Sequence, residues 1–284
     1  MTQLKLIECP RDAMQGIHDF IPTAHKISYI NRLLKVGYDT IDVGSFVSPK
    51  AIPQMKDTGE VIRGLDLENS QSNLSVIVAN RRGAHDAVEF DEVTYLGYPF
   101  SISETFQMRN TNASIEESLQ RVADIQAIAI KYNKELLIYV SMAFGNPYGD
   151  VWNAEIAQQY VDKLVSMGIT RFSLSDTIGV STPESLEYLF SNLTSTFPDI
   201  YFNAHLHTTP DKWEEKVVTA YAHGCRSFDG AIKGYGGCPM AKDELTGNMP
   251  MENMIKYFTD NNIEIGLDIP AFNEAMAYSS KVFL

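Results

Sequence analysis

A chain of 284 residues, 44% hydrophobic and 21% charged, can bury an ordinary core, and its length suits one α/β barrel. Its 36 acidic against 23 basic residues leave a net charge of −13. That argues against a nonspecific binder of nucleic-acid phosphates but allows a small anionic substrate at a locally positive site. Cys9, Cys225 and Cys238 make no disulfide framework and point to the reducing cytoplasm. No apolar run reaches membrane-spanning length, and the first residues have neither a signal-peptide core nor an Arg-rich transit pattern.

In chain order, eight short apolar runs read as strands: LKLIEC, YDTIDV, LSVIVA, EVTYLGY, LLIYVSMA, RFSLSD, IYFNAHLH and RSFDGAI. Segments of helical period separate most of them, among them TAHKISYINRLLKVG, SIEESLQRVADIQAIAIKYN, NAEIAQQYVDKLVSMG, TPESLEYLFSNLTSTF and DKWEEKVVTAYAHG. Ser114 and Glu117 have the spacing of a capping box, and Thr182-Pro183 begins a helix with Pro at its first position. Gly168 and Gly224 stand where helices should stop. Strands alternating with helices predict parallel βαβ units, and eight of them in this length predict a (β/α)8 barrel rather than an open sheet. No G-x-G-x-x-G dinucleotide fingerprint is present. With no linker or low-complexity tract, residues 1–284 are expected to form a single catalytic domain. The last segment, from about residue 250, reads as helices whose apolar stripe can cover the barrel or meet a second copy in a homodimer.

A barrel enzyme collects its chemistry at the C-terminal ends of its strands. Arg11-Asp12 follows the first strand here, Asp42 lies in the second, Asn80 ends the third, and Ser103 and Glu104 follow the fourth. Ser141 follows the fifth, Asp176 ends the sixth, His205 and His207 lie in the seventh, and KGYGGCPMAKDELTGN follows the eighth. Alternate strand residues point the same way, so His205 and His207 can grip one ion. Asp12 could add a carboxylate oxygen and Asn248 an amide oxygen, a mixed O/N set suited to Mg2+, Mn2+ or Zn2+. The same residues have plainer uses. Asp12 can pair with Arg11 or cap a helix, Asn248 after Gly247 can serve a turn, and Asp176 can cap the turn that follows it.

Together, PRDAMQ, DVGSFVSPKAIPQM, SISETFQMRNTNASIEESL, YVSMAFGNPYG, SLSDTIGVSTP, HLH and GGCP…GN resemble 3-hydroxy-3-methylglutaryl-CoA lyase, of the DRE-TIM metallolyases, from about residue 4 to residue 250. The resemblance implies a TIM barrel that cleaves 3-hydroxy-3-methylglutaryl-CoA to acetyl-CoA and acetoacetate with a divalent cation, as in leucine degradation and ketone-body metabolism. It implies that Asp12, His205, His207 and Asn248 hold the metal, that Arg11 stabilises the enolate, and that Cys238 is a catalytic cysteine on a glycine-rich loop. Asp42 occupies the place of a catalytic Glu, and Asp176 matches a functional Asp. His207, Asp42 and Asp176 are all candidates for taking the hydroxyl proton.

Several positions depart from the family pattern. Asp42 is one methylene shorter than Glu, RDAMQGIH replaces RDGLQNE, and IKGYGGCPM replaces AGLGGCPY, placing Lys233 and Met240 beside the loop. Met142 and Asn146 stand where many relatives have cysteines. These changes surround the acyl pocket and spare the metal ligands. The rival reading keeps the barrel but makes it a related lyase or a Claisen-type condensing enzyme acting on another acyl-CoA or a 2-oxo or 2-hydroxy acid.

Overall fold

The computed structural model describes residues 3–237 and 246–283. Eight parallel strands close on themselves: β1 (Lys5–Glu8), β2 (Thr40–Ser45), β3 (Asn73–Ile77), β4 (Val93–Ser101), β5 (Glu135–Ser141), β6 (Arg171–Asp176), β7 (Tyr201–Thr208) and β8 (Ser227–Gly230). The ring is sealed where Ile7 of β1 pairs with Asp229 of β8, and where β6 pairs with β7. This is the (β/α)8 barrel the alternation predicts, with RFSLSD matched to the residue. Helices intervene in order: α1 (Pro10–Gln15), α2 (Thr23–Leu33), α3 (Thr58–Arg63), α4 (Arg81–Ala87), α5 (Glu104–Thr111), α6 (Ile115–Lys131), α7 (Ala154–Ser166), α8 (Pro183–Thr196) and α9 (Trp213–Ala222). Two more, α10 (Met251–Asp260) and α11 (Ile269–Phe283), follow a two-residue strand β9 (Gly247–Asn248), and α11 packs on α2. No described helix is long and apolar enough to cross a membrane.

Strand alternation divides the molecule into two interiors. Outward-facing Leu6, Ile41, Val76, Tyr98, Phe100, Phe172, Leu174, Leu206 and Phe228 join the helices in one continuous apolar core. Inside the ring the residues are mostly polar. Thr40, Ser75, Tyr95, Tyr139, Arg171, Tyr201 and Asp229 face one another there with Ile7 and Leu137, so every one of the eight strands contributes. Arg171 fills the N-terminal mouth, stacked 4.6 Å from the Tyr95 ring and 4.7 Å from the Tyr201 ring. The larger apolar core thus lies between the strands and the helices, a smaller cluster of Ile77, Leu137 and Tyr139 lies inside the ring, and the C-terminal mouth is left for chemistry.

The helix punctuation is used as the spacing predicts. Ser114 Oγ accepts from Glu117 N at 3.1 Å and Glu117 Oε2 accepts from Ser114 N at 2.8 Å, a reciprocal capping box at the head of α6. Ser114→Ala is expected to cost about 1 kcal/mol, seen as a fall of about 2–4 °C in Tm by calorimetry. Thr182 caps α8 with Pro183 at its first position, and Gly168 and Gly224 adopt positive φ just past α7 and α9.

Candidate active site

The C-terminal ends of the strands open into a cavity of about 590 Å³. Its lining includes Arg11, Asp12 and Gln15 of α1, Tyr139 and Ser141 of β5, Thr177, both histidines of β7, and Gly237. Parallel pairing aligns all the strand ends at one face, so residues far apart in sequence converge there. Asp12, His205 and His207 each bring one ligand atom to within 4.8 Å of the others, and all three are buried.

The β1–α1 corner positions the first group. Pro10 starts α1, and the short helix directs Arg11, Asp12 and Gln15 to one side. Arg11 Nη1 donates to Asp12 Oδ1 at 2.7 Å and to Gln15 Oε1 at 3.0 Å, while Gln15 Nε2 donates to Asp12 Oδ1 at 2.8 Å. On its other edge Arg11 donates through Nε (2.9 Å) and Nη2 (2.6 Å) to Asp42 Oδ2. The guanidinium is thus fixed between two carboxylates and remains charged, since the field of Asp42 and Asp12 outweighs the cost of its burial. Asp42 is fully buried, below Arg11, and is absent from the cavity lining.

The two carboxylates titrate in opposite senses. Burial pushes Asp12 up, but Arg11 and the two histidines more than reverse this and hold it at about 2. Burial dominates at Asp42 and raises it from 3.8 to about 6 despite Arg11. Folded Asp42 therefore binds a proton at pH 5 that the unfolded chain has released. This contribution to stability is complete below the unfolded value near pH 4 and is lost as pH rises through about 6. The interval corresponds to about 3 kcal/mol at about 1.4 kcal/mol per pH unit. Asp42→Asn has no such titration. Urea unfolding in chelator should show the variant gaining about 3 kcal/mol on the parent between pH 4 and 7, and a pH-independent difference would contradict the assignment.

Strand β7 supplies the second group. His205 Nδ1 lies 2.8 Å from Asp229 Oδ2, and His207 Nδ1 lies 2.8 Å from the Thr177 carbonyl oxygen. A carbonyl can only accept, so His207 carries its proton on Nδ1 and leaves the Nε2 lone pair free. That Nε2 is buried without a hydrogen-bond partner, 3.9 Å from Asp12 Oδ2. Burial first, then the adjacent His205, lowers the His207 pKa and keeps the ring neutral. An orphaned, neutral imidazole nitrogen facing a carboxylate fits a cation-binding position. The donor set, one carboxylate and two imidazoles, fits Mg2+, Mn2+ or Zn2+.

Strand β9 brings the fourth candidate. Gly247–Asn248 pairs antiparallel with His207–Thr208, setting Asn248 opposite His207. Asn248 Nδ2 donates to Asp12 Oδ2 and to the Tyr235 carbonyl, both at 2.8 Å. Its amide nitrogen therefore faces Asp12, and ligation through the amide oxygen requires the side chain to turn over. Gly236 allows the loop to come this close, because with φ +86 a Cβ there would lie 2.7 Å from Asp12 O and 2.9 Å from Asn248 Nδ2. Cys238 lies outside the described residues.

Asp176 stands apart from the cavity. Its Oδ1 accepts from Val180 N at 2.7 Å, and its Oδ2 accepts from Ser181 N at 3.0 Å and from Lys216 Nζ at 2.6 Å. Lys216 Nζ also donates to His207 O at 2.8 Å. Asp176 thus holds the turn that carries Thr177, whose carbonyl fixes His207. The structure also brings in Tyr139, Lys216 and Asp229, which motif spacing passed over, and gives Gln15, the last residue of PRDAMQ, a bond to Asp12. Lys216 had a signal, since Trp213, Lys216, Val217 and Ala220 share the i, i+3, i+4, i+7 face on which a lysine is out of place. Asp229, an acid inside a strand, was signalled by the same reasoning that picks out Asp42.

Comparisons with known proteins agree with the fold. The HMGL-like family model matches residues 4–278, beyond the 4–250 expected from the motifs. The mitochondrial hydroxymethylglutaryl-CoA lyase of Mus musculus is 35% identical over 277 residues, covering 96% of this chain and 83% of the relative. The HMG-CoA lyase of Brucella melitensis superposes with a TM-score of 0.91 at 30% identity, covering 99% of this chain and 98% of that one. An HMG-CoA lyase from Acinetobacter baumannii, solved in complex with coenzyme A and 3-methylmalate, superposes with a TM-score of 0.91 at 28% identity, covering 100% and 93%. The chain belongs to the HMGL-like family and is a TIM-barrel member of the group that contains the HMG-CoA lyases.

Proposed function

We propose that this protein is a carbon–carbon lyase that cleaves 3-hydroxy-3-methylglutaryl-CoA to acetyl-CoA and acetoacetate, with a divalent cation held by Asp12, His205, His207 and Asn248. The observation that carries the reading is the buried, unpartnered His207 Nε2 beside Asp12, at the floor of a cavity large enough for an acyl chain. When bound, the cation would supply Lewis acidity that lowers the pKa of the substrate hydroxyl.

The chain's own residues account for the other requirements. The C3 hydroxyl proton must leave, the C2–C3 bond must break, and its electron pair must pass to the thioester as an enolate. C2 then takes a proton to give acetyl-CoA, and C3 becomes the ketone of acetoacetate. Arg11 lines the cavity as a permanent, immobilised cation, which supports assigning it the stabilisation of the enolate oxygen. Of the three candidate proton acceptors, Asp176 has both oxygens engaged and Asp42 is covered by Arg11. Of the three, only His207 reaches the cavity, and because its Nδ1 already carries a proton, its Nε2 lone pair can take the hydroxyl proton only while the cation does not hold it. Asp42 and Asp176 then serve as positioning residues for Arg11 and His207. Cys238, carried over from the family motif, is assigned the protonation of the enolate carbon.

The named substrate is an acyl-CoA, and a reducing compartment such as the cytoplasm suits the buried free thiols of Cys9 and Cys225. A homodimer remains our proposal for the assembly. Purified protein with Mn2+ is expected to convert 3-hydroxy-3-methylglutaryl-CoA into equal amounts of acetyl-CoA and acetoacetate. If it leaves that thioester intact yet cleaves another acyl-CoA, the rival substrate reading replaces this one.

A further inference from the structure

His205 has a ring nitrogen that the cation reading does not use. Its Nδ1 lies 2.8 Å from Asp229 Oδ2, with the carboxylate side chain only 3% exposed. Asp229 sits on β8 and is itself braced from two neighbouring strands: Asn203 Nδ2 of β7 donates to Ser173 Oγ of β6 at 2.8 Å, and Ser173 Oγ donates to Asp229 Oδ2 at 3.4 Å. The His205 ring is also pinned edge-on to Tyr139, with centroids 5.5 Å apart and planes at 87°. A carboxylate oxygen so placed accepts a hydrogen bond from Nδ1–H, which leaves the lone pair on Nε2. The ring is then held by its Nδ1 bond to Asp229 and lies between the Tyr139 and His207 rings, the latter with centroids 5.1 Å away.

We propose that Asp229 is the positioning residue for His205: from inside the barrel it fixes the Nδ1–H tautomer and the ring orientation, presenting Nε2 as a metal ligand beside Asp12 and His207. The proposal rests on the metal-centre reading above and deepens it, since the two histidines become ligands by different means. His207 is fixed by the Thr177 carbonyl, and His205 by a buried carboxylate. A charged partner raises the basicity of the ring as well as orienting it, and loss of such a partner typically weakens metal binding by about 10–100-fold.

The test compares the parent protein with Asp229→Asn and Asp229→Ala, without substrate. Mn2+ binding is read from the free-ion electron paramagnetic resonance signal, and the His205 tautomer from long-range 15N–1H correlation of 15N-histidine-labelled protein in chelator. The parent should show His205 protonated on Nδ1. Asp229→Ala should lose that tautomer and bind Mn2+ about 10–100-fold more weakly. Asp229→Asn keeps an acceptor of the same shape and should fall between the two, which guards against a variant that merely folds poorly. An Nε2-protonated His205 in the parent, or Mn2+ affinity unchanged in both variants, overturns the proposal. A parent that binds no Mn2+ at all overturns the metal centre itself.

Discussion

His207→Ala is expected to abolish metal-dependent turnover, by more than the roughly 10–100-fold that accompanies loss of a residue that only supports a ligand. The substitution removes the unpartnered Nε2 nearest Asp12 and leaves Asp12, His205 and Asn248 in place. Its cost to the fold should be small by comparison, because His207 makes one side-chain hydrogen bond that the structure records, to Thr177 O. The informative pattern is therefore loss of Mn2+ affinity and of turnover together, with Tm nearly unchanged. Unchanged activity in Mn2+ would remove His207 from the metal site. Lost activity with Mn2+ affinity intact would make it a proton carrier alone.

Asp176→Ala and Lys216→Met are expected to destabilise the protein heavily, and to affect turnover only as a consequence. Lys216 is 3% exposed and Asp176 fully buried at the side chain, and their Nζ–Oδ2 distance is 2.6 Å. Removing one partner of a buried pair strands the other charge and costs about 3–5 kcal/mol. Asp176→Ala should be the worse of the two, since it also frees the Val180 and Ser181 amides. At about 2–4 °C per kcal/mol the fall in Tm should be near 10 °C, readily measured by calorimetry. Loss of turnover would follow from the displaced Thr177 carbonyl and the lost Lys216 bond to His207 O. If Asp176→Ala instead kept its Tm within a degree or two while turnover vanished, Asp176 would act on the substrate and not through the turn.

The barrel was legible because its evidence is periodic. Eight apolar runs separated by helical segments identify parallel units, and the capping box at Ser114 and the Thr182-Pro183 start mark helix boundaries without any tertiary information. The convergence of Asp12, His205 and His207 was legible because H-x-H on a strand turns two imidazoles to one side, and Asp12 follows the strand that pairs with β8 in the ring. The surroundings of Asp42 were not legible, and those of Asp176 only in part: its capping of the following turn could be read, its pairing with Lys216 could not. Asp42 lies within its strand and Asp176 ends its own, and the motifs give no sign of which basic side chain packs against either. Packing decides that Arg11 covers the first and Lys216 neutralises the second, across separations of 31 and 40 residues. The same holds for Asp229, whose partner His205 lies 24 residues away on the adjacent strand.

The central claim is that carbon–carbon cleavage depends on a cation at the Asp12–His205–His207 cluster. The most direct measurement is an Mn2+ titration of chelator-treated protein, with bound metal and products from 3-hydroxy-3-methylglutaryl-CoA followed on the same samples. We expect no product without metal, and equal acetyl-CoA and acetoacetate rising in step with Mn2+ until one ion is bound per chain. Product formation that is indifferent to chelation, or an ion bound at full occupancy with no cleavage of this thioester, would contradict it.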